Sequence, residues 1–270
     1  MNAHSVSADA EPPVLLERRA GVAFLTLNRP LRYNVLSEEM LAALHGAFDT
    51  LAADSSVRVV VLGGAGKAFC AGHDLKQMQA NRSLEYYERL FEDCSRLMLR
   101  IQTLPQPVIA RVHGVATAAG CQLVAMCDLG VAADDARFAV SGVNIGLFCA
   151  TPSVGLTRNV GRKAAFEMLV TGEFIDAATA VQRGLINRCV PADRLDREIG
   201  TLTAAIVAKP QSVIATGKAL FYRQMELGVA AAYQLAGQSM ACNMIDGIAQ
   251  EGVLAFIEKR VPNWSVDRSA

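Results

Sequence analysis

Apolar and polar residues follow two different periods in the first quarter of the chain. Segments 14–18 and 22–28 have the pattern of two strands joined by an Ala-Gly turn. Ser37 precedes an amphipathic stretch that begins with two glutamates, which predicts a capped helix over 38–53. The next segment, 57–62, is a continuous apolar run rich in valine, and this indicates a strand buried on both faces.

The middle of the chain repeats this alternation of strands and helices. A long helical pattern over 83–104 stops before Pro105 and Pro107, because the residue before a proline avoids helical geometry. The elements predicted next are a strand over 108–112, a helix over 118–126 and short strands over 129–132 and 138–140.

Two further helix starts have recognisable caps. Thr151-Pro152 predicts the beginning of a helix, since proline fits the first helical position. Asp176 caps a helix that is predicted to end at Gly184, and a short strand over 186–190 follows.

From about Ala192 the pattern is almost entirely helical, with breaks at Pro210 and Gly228. This change from mixed to helical patterning is the main architectural boundary. The predicted segments are a disordered tail over 1–13, a mixed α/β core over 14–191 and a helical region over 192–270.

Composition narrows the classes of partner. The chain has 270 residues, is 52% hydrophobic, and carries 26 basic and 26 acidic residues. This is enough apolar material for a large core. Because nucleic acids and anionic membrane surfaces attract a basic excess, the balanced charge argues against both partners. No run of about 18 apolar residues occurs, so no membrane-spanning helix is predicted.

The seven cysteines are odd in number, scattered, and without a Cys-x-x-Cys pair. This usage favours reduced thiols in a cytoplasmic protein over a disulfide framework or a zinc site. The tail over 1–13 lacks the pattern of a secretory or mitochondrial signal, which also indicates a cytoplasmic location. His4, His45 and His113 show no ligand spacing with acidic residues, so no metal is predicted.

Two stretches rich in small residues, 63–76 and 114–122, each follow a predicted strand. Glycine permits tight turns and close approach to a ligand, and the second stretch leads into the partly positive start of a helix. Two such loops side by side could direct two N–H donors at one oxygen, although many loops of this kind are only turns. The chain has neither a phosphate-binding Gly-x-x-x-x-Gly-Lys-Ser/Thr loop nor an initial Gly-x-Gly-x-x-Gly motif.

Several motifs carry a family resemblance. They are Asn28-Arg29-Pro30, Asn34, the segment 67–76, the segment 114–128, and the segments 169–173, 180–190 and 251–260. In this order they resemble the crotonase (enoyl-CoA hydratase/isomerase) family. The runs Ala-Gly-His-Asp-Leu-Lys and Lys-Arg-Val-Pro-Asn-Trp are most similar to its enoyl-CoA hydratase domain-containing protein 3 subgroup.

The resemblance implies an α/β fold, a crotonase-like spiral of ββα units with a C-terminal helical oligomerisation region. Those helices would build a homotrimer or a dimer of trimers. The implied ligand is an acyl-CoA thioester, with coenzyme A as part of the substrate and no separate cofactor.

The resemblance also implies roles for individual residues. The backbone N–H groups of His73 and Ala119 would form an oxyanion hole, although family members usually have glycine in place of Ala119. The positions implied to contact coenzyme A are Arg32, Ala71, His73, Asp74, Leu75, Lys76, Phe256 and Lys259, the last two on a neighbouring subunit's ligand.

Two residues depart from the pattern of a typical hydratase, which activates water with a pair of glutamates. This chain has Gln122 at the first of these positions and Gly142 at the second. An amide cannot accept a proton as a general base near neutral pH, so catalysis by paired carboxylates is not available there. Restoring both carboxylates (Gln122→Glu with Gly142→Glu) is expected to raise crotonyl-CoA hydration.

Other side chains are candidates for the missing chemistry. Histidine has a pKa range that suits proton transfer, so the His73 side chain is a candidate acid or base. The alternative is a structural role for this side chain. Cys149 lies where naphthoate synthases of the family carry an aspartate. It is a candidate nucleophile or proton donor, and the alternative is a cysteine packed in the core. Asp74 is a candidate base, and the alternative is that its side chain orders the loop through local hydrogen bonds. Asn144 and Thr151 orient a water molecule or cap loops.

Three kinds of function therefore stay open. The family implies enoyl-CoA hydratase/isomerase chemistry. Thioester hydrolysis or decarboxylation agrees better with the missing glutamates, and the run 143–146 also resembles methylmalonyl-CoA decarboxylase. A non-catalytic acyl-CoA binder is the alternative outside enzymes.

Overall fold

The structure, a computed structural model, describes residues 11–264. It begins with an antiparallel hairpin of β1 (Val14–Arg19) and β2 (Val22–Leu27). Ala20 and Gly21 have φ values of 50° and 77°. Positive φ at both turn positions matches the twist of a two-residue hairpin, so the predicted pair of strands and its Ala-Gly turn are confirmed.

The hairpin is the edge of a six-stranded sheet. Its other strands are β3 (Val59–Gly64), β5 (Val108–Val112), β7 (Leu129–Ala133) and β10 (Arg188–Val190). The order is β1-β2-β3-β5-β7-β10, and every pair after the hairpin is parallel. The first five residues of β3 are buried, as its continuous apolar run predicts for a strand covered on both faces.

A second sheet contains four shorter strands. They are β4 (Ala68–Cys70), β6 (Val115–Thr117), β8 (Arg137–Ala139) and β9 (Ile175–Asp176), in that spatial order. The first three are parallel to one another, and β9 is antiparallel to β8.

Within the described residues of the first compact unit, which runs through residue 206, eight α-helices begin. They are α1 (Glu38–Ala52), α2 (Leu75–Ala80), α3 (Leu84–Thr103), α4 (Ala119–Met126), α5 (Ala150–Asn159), α6 (Arg162–Thr171), α7 (Ala177–Gln182) and α8 (Leu195–Val207). Three times in succession, a strand of the large sheet is followed by one of the small sheet and then by helix. This repetition is the predicted spiral of ββα units.

Helices α1 and α3 contribute much of the buried core. Leu44 and Phe48 on α1, and Leu97 and Ile101 on α3, are completely buried in one apolar cluster. Each such side chain stabilises the fold by roughly 1.5–3 kcal/mol. The predicted cap of α1 is confirmed, because the Ser37 hydroxyl accepts a hydrogen bond from the Met40 N–H.

Sequence patterns missed the strands β4, β6 and β9, because two or three residues are too few positions to show a period. They also missed the helices α2 and α6. The first compact unit also continues beyond the predicted core of 14–191, so almost all of α8 belongs to it.

Three residues of the predicted disordered tail make defined contacts. The Asn28 side-chain amide donates to the Glu11 carboxylate and to the Pro12 carbonyl. The Asn28 backbone N–H donates to the Pro13 carbonyl. The tail prediction is therefore wrong for 11–13, where buried Asn28 provides polar partners, and its remaining part lies outside the described residues.

The second unit begins at Val207 and is described by itself. It contains α9 (Gln211–Met225), α10 (Val229–Met244) and α11 (Gly247–Ile257). The predicted breaks at Pro210 and Gly228 are confirmed. A third break before α11 was missed, and there the Asp246 carboxylate caps the helix by accepting from the Ile248 N–H. Assembly through this unit stays a prediction.

Across residues 11–264, none of the helices combines the length and the apolar character needed to cross a bilayer. The same residues contain no group of three histidine, cysteine or acidic side chains placed to hold a metal ion.

Asn34 connects two loops, its own loop between β2 and α1 and the loop between β3 and β4. It is fully buried, with φ at 53°. Its side-chain oxygen accepts from the Arg29 N–H at 2.9 Å, and its amide nitrogen donates to the carbonyls of Ala65 and Ala68 at 2.9 and 2.8 Å. One side chain thus supplies hydrogen-bond partners to three backbone groups.

Asn34→Ala is expected to lower the free energy of unfolding by roughly 2–4 kcal/mol, because three backbone groups, two of them in buried hydrogen bonds, lose their partners. Chemical denaturation measures the change. Asn81→Ala is the control, since Asn81 is exposed and donates only to Gln77. Equal stability of the two variants would contradict the role assigned to Asn34.

Candidate functional site

A cavity of about 1000 Å³ lies at the carboxyl ends of β4, β6 and β8. The loops that leave these three strands form much of its wall. Ligands of parallel sheets commonly bind at this end, where such loops converge. The predicted site residues that line the cavity are Arg32, Ala71, His73, Asp74, Leu75, Lys76, Ala119, Gly142 and Cys149.

The loop after β4 and the start of α4 are in close backbone contact. A Cβ on Gly120 would overlap the Cys70 carbonyl oxygen, and one on Gly72 would lie 3.3 Å from the Ala119 nitrogen. Gly72 also has a φ of 90°, which a side chain would strain. Glycine at both positions therefore allows the backbone of His73 to come close to that of Ala119.

At this contact, the backbone N–H groups of His73 and Ala119 are hydrogen-bond donors that the described residues leave without an acceptor. Neither donates a hydrogen bond to a protein acceptor within the described part of the chain. Their neighbours are engaged, since Ala118 donates to the Ala139 carbonyl and Leu36 donates to the Gly72 carbonyl. Because Ala119 is the first residue of α4, its N–H is one of the free donors of a helix start.

The His73 imidazole is packed inside the protein. Its ring lies edge-on to Phe91, with 5.6 Å between centroids, and both ring nitrogens are buried without a hydrogen-bond partner among the described residues. Burial lowers the pKa of His73. The neutral ring has no exposed nitrogen for proton transfer, so the geometry favours a structural side chain.

The polar residues next to His73 organise a helix start. The Asp74 carboxylate accepts from the N–H groups of Lys76 and Gln77 at the beginning of α2. The structure thus confirms that Asp74 orders its loop. Lys76 and Arg32 line the cavity and provide two cationic side chains there.

Gln122 lies on the second turn of α4 and is only 4% exposed. Its Oε1 atom is buried without a hydrogen-bond donor in residues 11–264. Gln122 does not itself line the cavity, whereas Ala119, one helical turn earlier, does.

Gly142 has no room for a side chain. An added Cβ would overlap the Leu147 carbonyl oxygen and lie 2.8 Å from the Cys149 sulfur. The expectation that Gly142→Glu can simply restore a carboxylate is therefore wrong in this backbone conformation, because the atoms of residues 147 and 149 occupy the space.

The Cys149 thiol lines the cavity and is 6% exposed. Its sulfur accepts a hydrogen bond from the Gly142 N–H at 3.2 Å. Burial raises the pKa of Cys149, and the Gly142 hydrogen bond opposes that rise. A protonated thiol is a poor nucleophile, so this environment favours a neutral S–H over a thiolate.

Other predicted residues have structural partners. The Asn144 amide donates to the Gly172 carbonyl, as expected of a loop tether. His113 is hydrogen-bonded to the Gly66 carbonyl at 2.8 Å. Thr151 lines the cavity. Phe256 and Lys259 belong to the second unit, where Phe256 is 85% exposed, and their contact with a neighbouring ligand stays a prediction.

Sequence reasoning missed two parts of the wall. Ser141 lines the cavity, and its hydroxyl is hydrogen-bonded to Thr117 at 2.8 Å. Ile145, Leu147 and Phe148 add an apolar section. The apolar run in 143–148 was a visible signal, but only the fold places it beside the loops after β4 and β6.

Comparison with known proteins identifies the family. The enoyl-CoA hydratase/isomerase family matches residues 17–267. This chain belongs to the enoyl-CoA hydratase/isomerase family, within the crotonase superfamily. The resemblance stated from its motifs is thereby confirmed.

Relatives and solved structures in this family agree with the predicted subgroup and spiral fold. The mitochondrial enoyl-CoA hydratase domain-containing protein 3 of Xenopus laevis is 44% identical over 254 residues, covering 94% of this chain and 86% of the relative. The crystal structure of the human enoyl-CoA hydratase domain-containing protein 3 has 41% sequence identity to this chain and a TM-score of 0.91. The match covers 93% of this chain and 100% of the human chain. The crystal structure of an enoyl-CoA hydratase of Mycobacterium smegmatis has 64% sequence identity to this chain and a TM-score of 0.93. The match covers 95% of this chain and 100% of that chain.

Gly142→Ala is expected to destabilise this family member by about 1–3 kcal/mol, because the new methyl group must displace the Leu147 carbonyl or the Cys149 sulfur. Thermal unfolding measures the loss. Gly46→Ala is the control, since Gly46 is exposed inside α1 and no atom lies within 4 Å of its added Cβ. A Gly142 variant as stable as the control would show that this loop repacks freely.

Proposed function

We propose that this chain is an enzyme that binds an acyl-CoA thioester in the cavity and stabilises negative charge on its carbonyl oxygen. The observation that carries the proposal is the pair of unused N–H donors on His73 and Ala119. Family membership supports the ligand class.

The charge to be stabilised develops on the thioester oxygen as an enolate or as a tetrahedral intermediate. Two backbone donors preset at that oxygen lower the barrier, because they need no reorganisation during the reaction. The donor at the start of α4 adds the partial positive charge of a helix N-terminus. Alanine in place of the usual glycine keeps the N–H.

The chemistry of the wall fits an acyl-CoA molecule. Arg32 and Lys76 offer positive charge for the phosphates. Ile145, Leu147 and Phe148 offer apolar surface for the acyl group.

Hydration by a pair of carboxylates is not supported at the predicted positions. Gln122 is an amide, and the room beside Gly142 is filled. We infer that any hydration of an enoyl thioester is slow compared with a family member that carries both glutamates.

Decarboxylation of a thioester with a carboxylate on its α-carbon is the second candidate. Loss of carbon dioxide produces an enolate without a general base, so the donors of His73 and Ala119 would suffice to stabilise it. The neutral environment of Gly142 and Cys149 favours this chemistry over water activation. Thioester hydrolysis and non-catalytic binding are the remaining alternatives.

Assembly and location are further parts of the proposal. A homotrimer or a dimer of trimers would bring Phe256 and Lys259 of one subunit to the ligand of another. The vertebrate relatives have "mitochondrial" in their names, in contrast to the cytoplasmic location predicted from this sequence. Cytoplasmic location stays a prediction.

Incubation of the protein with crotonyl-CoA, malonyl-CoA and butyryl-CoA tests the proposed function. We expect conversion of at least one thioester and only slow loss of the conjugated crotonyl absorbance. Mass spectrometry of the products separates hydration, decarboxylation and hydrolysis. A protein that binds these thioesters and converts none is a binder, and the proposal would then be wrong.

Ala119→Pro is expected to reduce kcat/KM by about 100- to 1,000-fold, since loss of one oxyanion donor costs about 3–4 kcal/mol. Proline fits the first helical position, so α4 can still begin there. Ala119→Gly is the matched control, because it keeps the N–H and should retain turnover. Unchanged turnover in a folded proline variant would exclude this donor.

A further inference from the structure

We propose that the Ser141 hydroxyl binds a carboxylate on the α-carbon of the acyl group, so that the cavity takes a malonyl-type thioester. This role deepens the proposed function and rests on it, because the thioester carbonyl would lie at the donors of His73 and Ala119. Three features of the cavity wall support it: the register of the small sheet, a pair of hydroxyl groups, and the absence of charge around them within the described residues.

The register of the small sheet places Ser141 beside the start of α4. Strands β6 and β8 are parallel, with Thr117 opposite Ala139, and the Ala118 N–H donates to the Ala139 carbonyl at 3.0 Å. Two residues beyond this pair, the chains reach Ala119 and Ser141, and both residues line the cavity. Paired strands lie about 4.8 Å apart, so the Ser141 hydroxyl is near the Ala119 donor. A carboxylate attached one carbon from the thioester carbonyl would therefore be within its reach.

Thr117 holds the Ser141 hydroxyl from the neighbouring strand. The two hydroxyl oxygens are 2.8 Å apart, and among residues 11–264 neither makes another hydrogen bond. Each hydroxyl carries one proton, and the hydrogen bond between them uses only one of the pair. When Thr117 donates to Ser141, the Ser141 proton is free for an acceptor in the cavity, and the donated bond strengthens it. Thr117 does not line the cavity, so Ser141 is the hydroxyl that meets a ligand.

The wall that continues from Ser141 is uncharged. Its lining residues are Ser141, Gly142, Ile145, Leu147, Phe148, Cys149, Ala150, Thr151 and Pro152. Burial raises the pKa of the Cys149 thiol, which favours its neutral form. The cationic side chains that line the cavity, Arg32 and Lys76, belong to the turn before α1 and to α2. A carboxylate at Ser141 would therefore meet a hydroxyl donor and apolar surface instead of an ion pair.

This neutral environment suits loss of the carboxylate. A salt bridge would stabilise the charge that decarboxylation removes and would raise the barrier, whereas a hydroxyl fixes the direction of the carboxylate without neutralising it. When the bond from the α-carbon to the carboxylate breaks, carbon dioxide leaves and the electron pair forms an enolate. The enolate oxygen then lies at the donors of His73 and Ala119, and the α-carbon takes a proton from water.

Binding of malonyl-CoA and butyryl-CoA tests this role, since only malonyl-CoA carries the carboxylate. Ser141→Ala is expected to weaken malonyl-CoA binding by about 10-fold or more and to leave butyryl-CoA binding within about 2-fold, because one hydrogen bond to a charged group is lost. Calorimetric titration measures both dissociation constants, and KM replaces the constant for malonyl-CoA where acetyl-CoA forms. Equal changes for the two thioesters, or no change for either, would overturn the inference.

Variants of Thr117 separate the hydroxyl pair from packing. Thr117→Val keeps the shape and removes the partner of Ser141, so malonyl-CoA binding should weaken by about 3- to 10-fold, while Thr117→Ser should restore it. Ser153→Ala is the matched control, because the Ser153 hydroxyl donates to the Ala150 carbonyl and does not line the cavity. Wild-type affinity for malonyl-CoA in Thr117→Val would overturn the positioning role of Thr117.

The two thioesters also distinguish this inference from the function beneath it. A wild-type protein that binds or converts butyryl-CoA but not malonyl-CoA would overturn the carboxylate site and preserve the proposed function. A selective loss of malonyl-CoA binding in Ser141→Ala, with no thioester converted by the wild type, would preserve the site and count against the enzyme. Binding of neither thioester would overturn both.

Discussion

Close packing of two backbones, with no side chain between them, holds the candidate site together. The loop after β4 touches the first turn of α4 so tightly that Gly120 cannot carry a Cβ beside the Cys70 carbonyl. Gly72 also approaches this turn, since an added Cβ there would lie 3.3 Å from the Ala119 nitrogen. The contact decides how far apart the donors of His73 and Ala119 lie, and the cavity wall follows from it.

This contact depends on the two-sheet architecture. Strands β4 and β6 pair in parallel in the small sheet, so the loops at their carboxyl ends emerge side by side. Ala118 adopts a φ of 51°, unusual for a residue with a side chain, and its N–H is held by the Ala139 carbonyl of β8. A strained residue of this kind costs on the order of 1–3 kcal/mol and persists because its surroundings fix it.

The other half of the site follows a different constraint. Cys149 folds back on Gly142, and their hydrogen bond closes the space where a longer side chain would have to fit. The backbone around residue 142 thus accommodates only glycine without displacement of its neighbours, which ties the stability of this loop to the chemistry that it permits.

Local signals in the sequence determined many elements. The Ala-Gly turn, the Ser37 cap, the buried run of β3 and the breaks at Pro210 and Gly228 were all predictable, because each depends on residues adjacent in the chain. Motifs also determined the family and the two loops of the site. Only the tertiary structure decided that the His73 ring is buried against Phe91 and that Gly142 has no free space, because both result from contacts between segments distant in sequence.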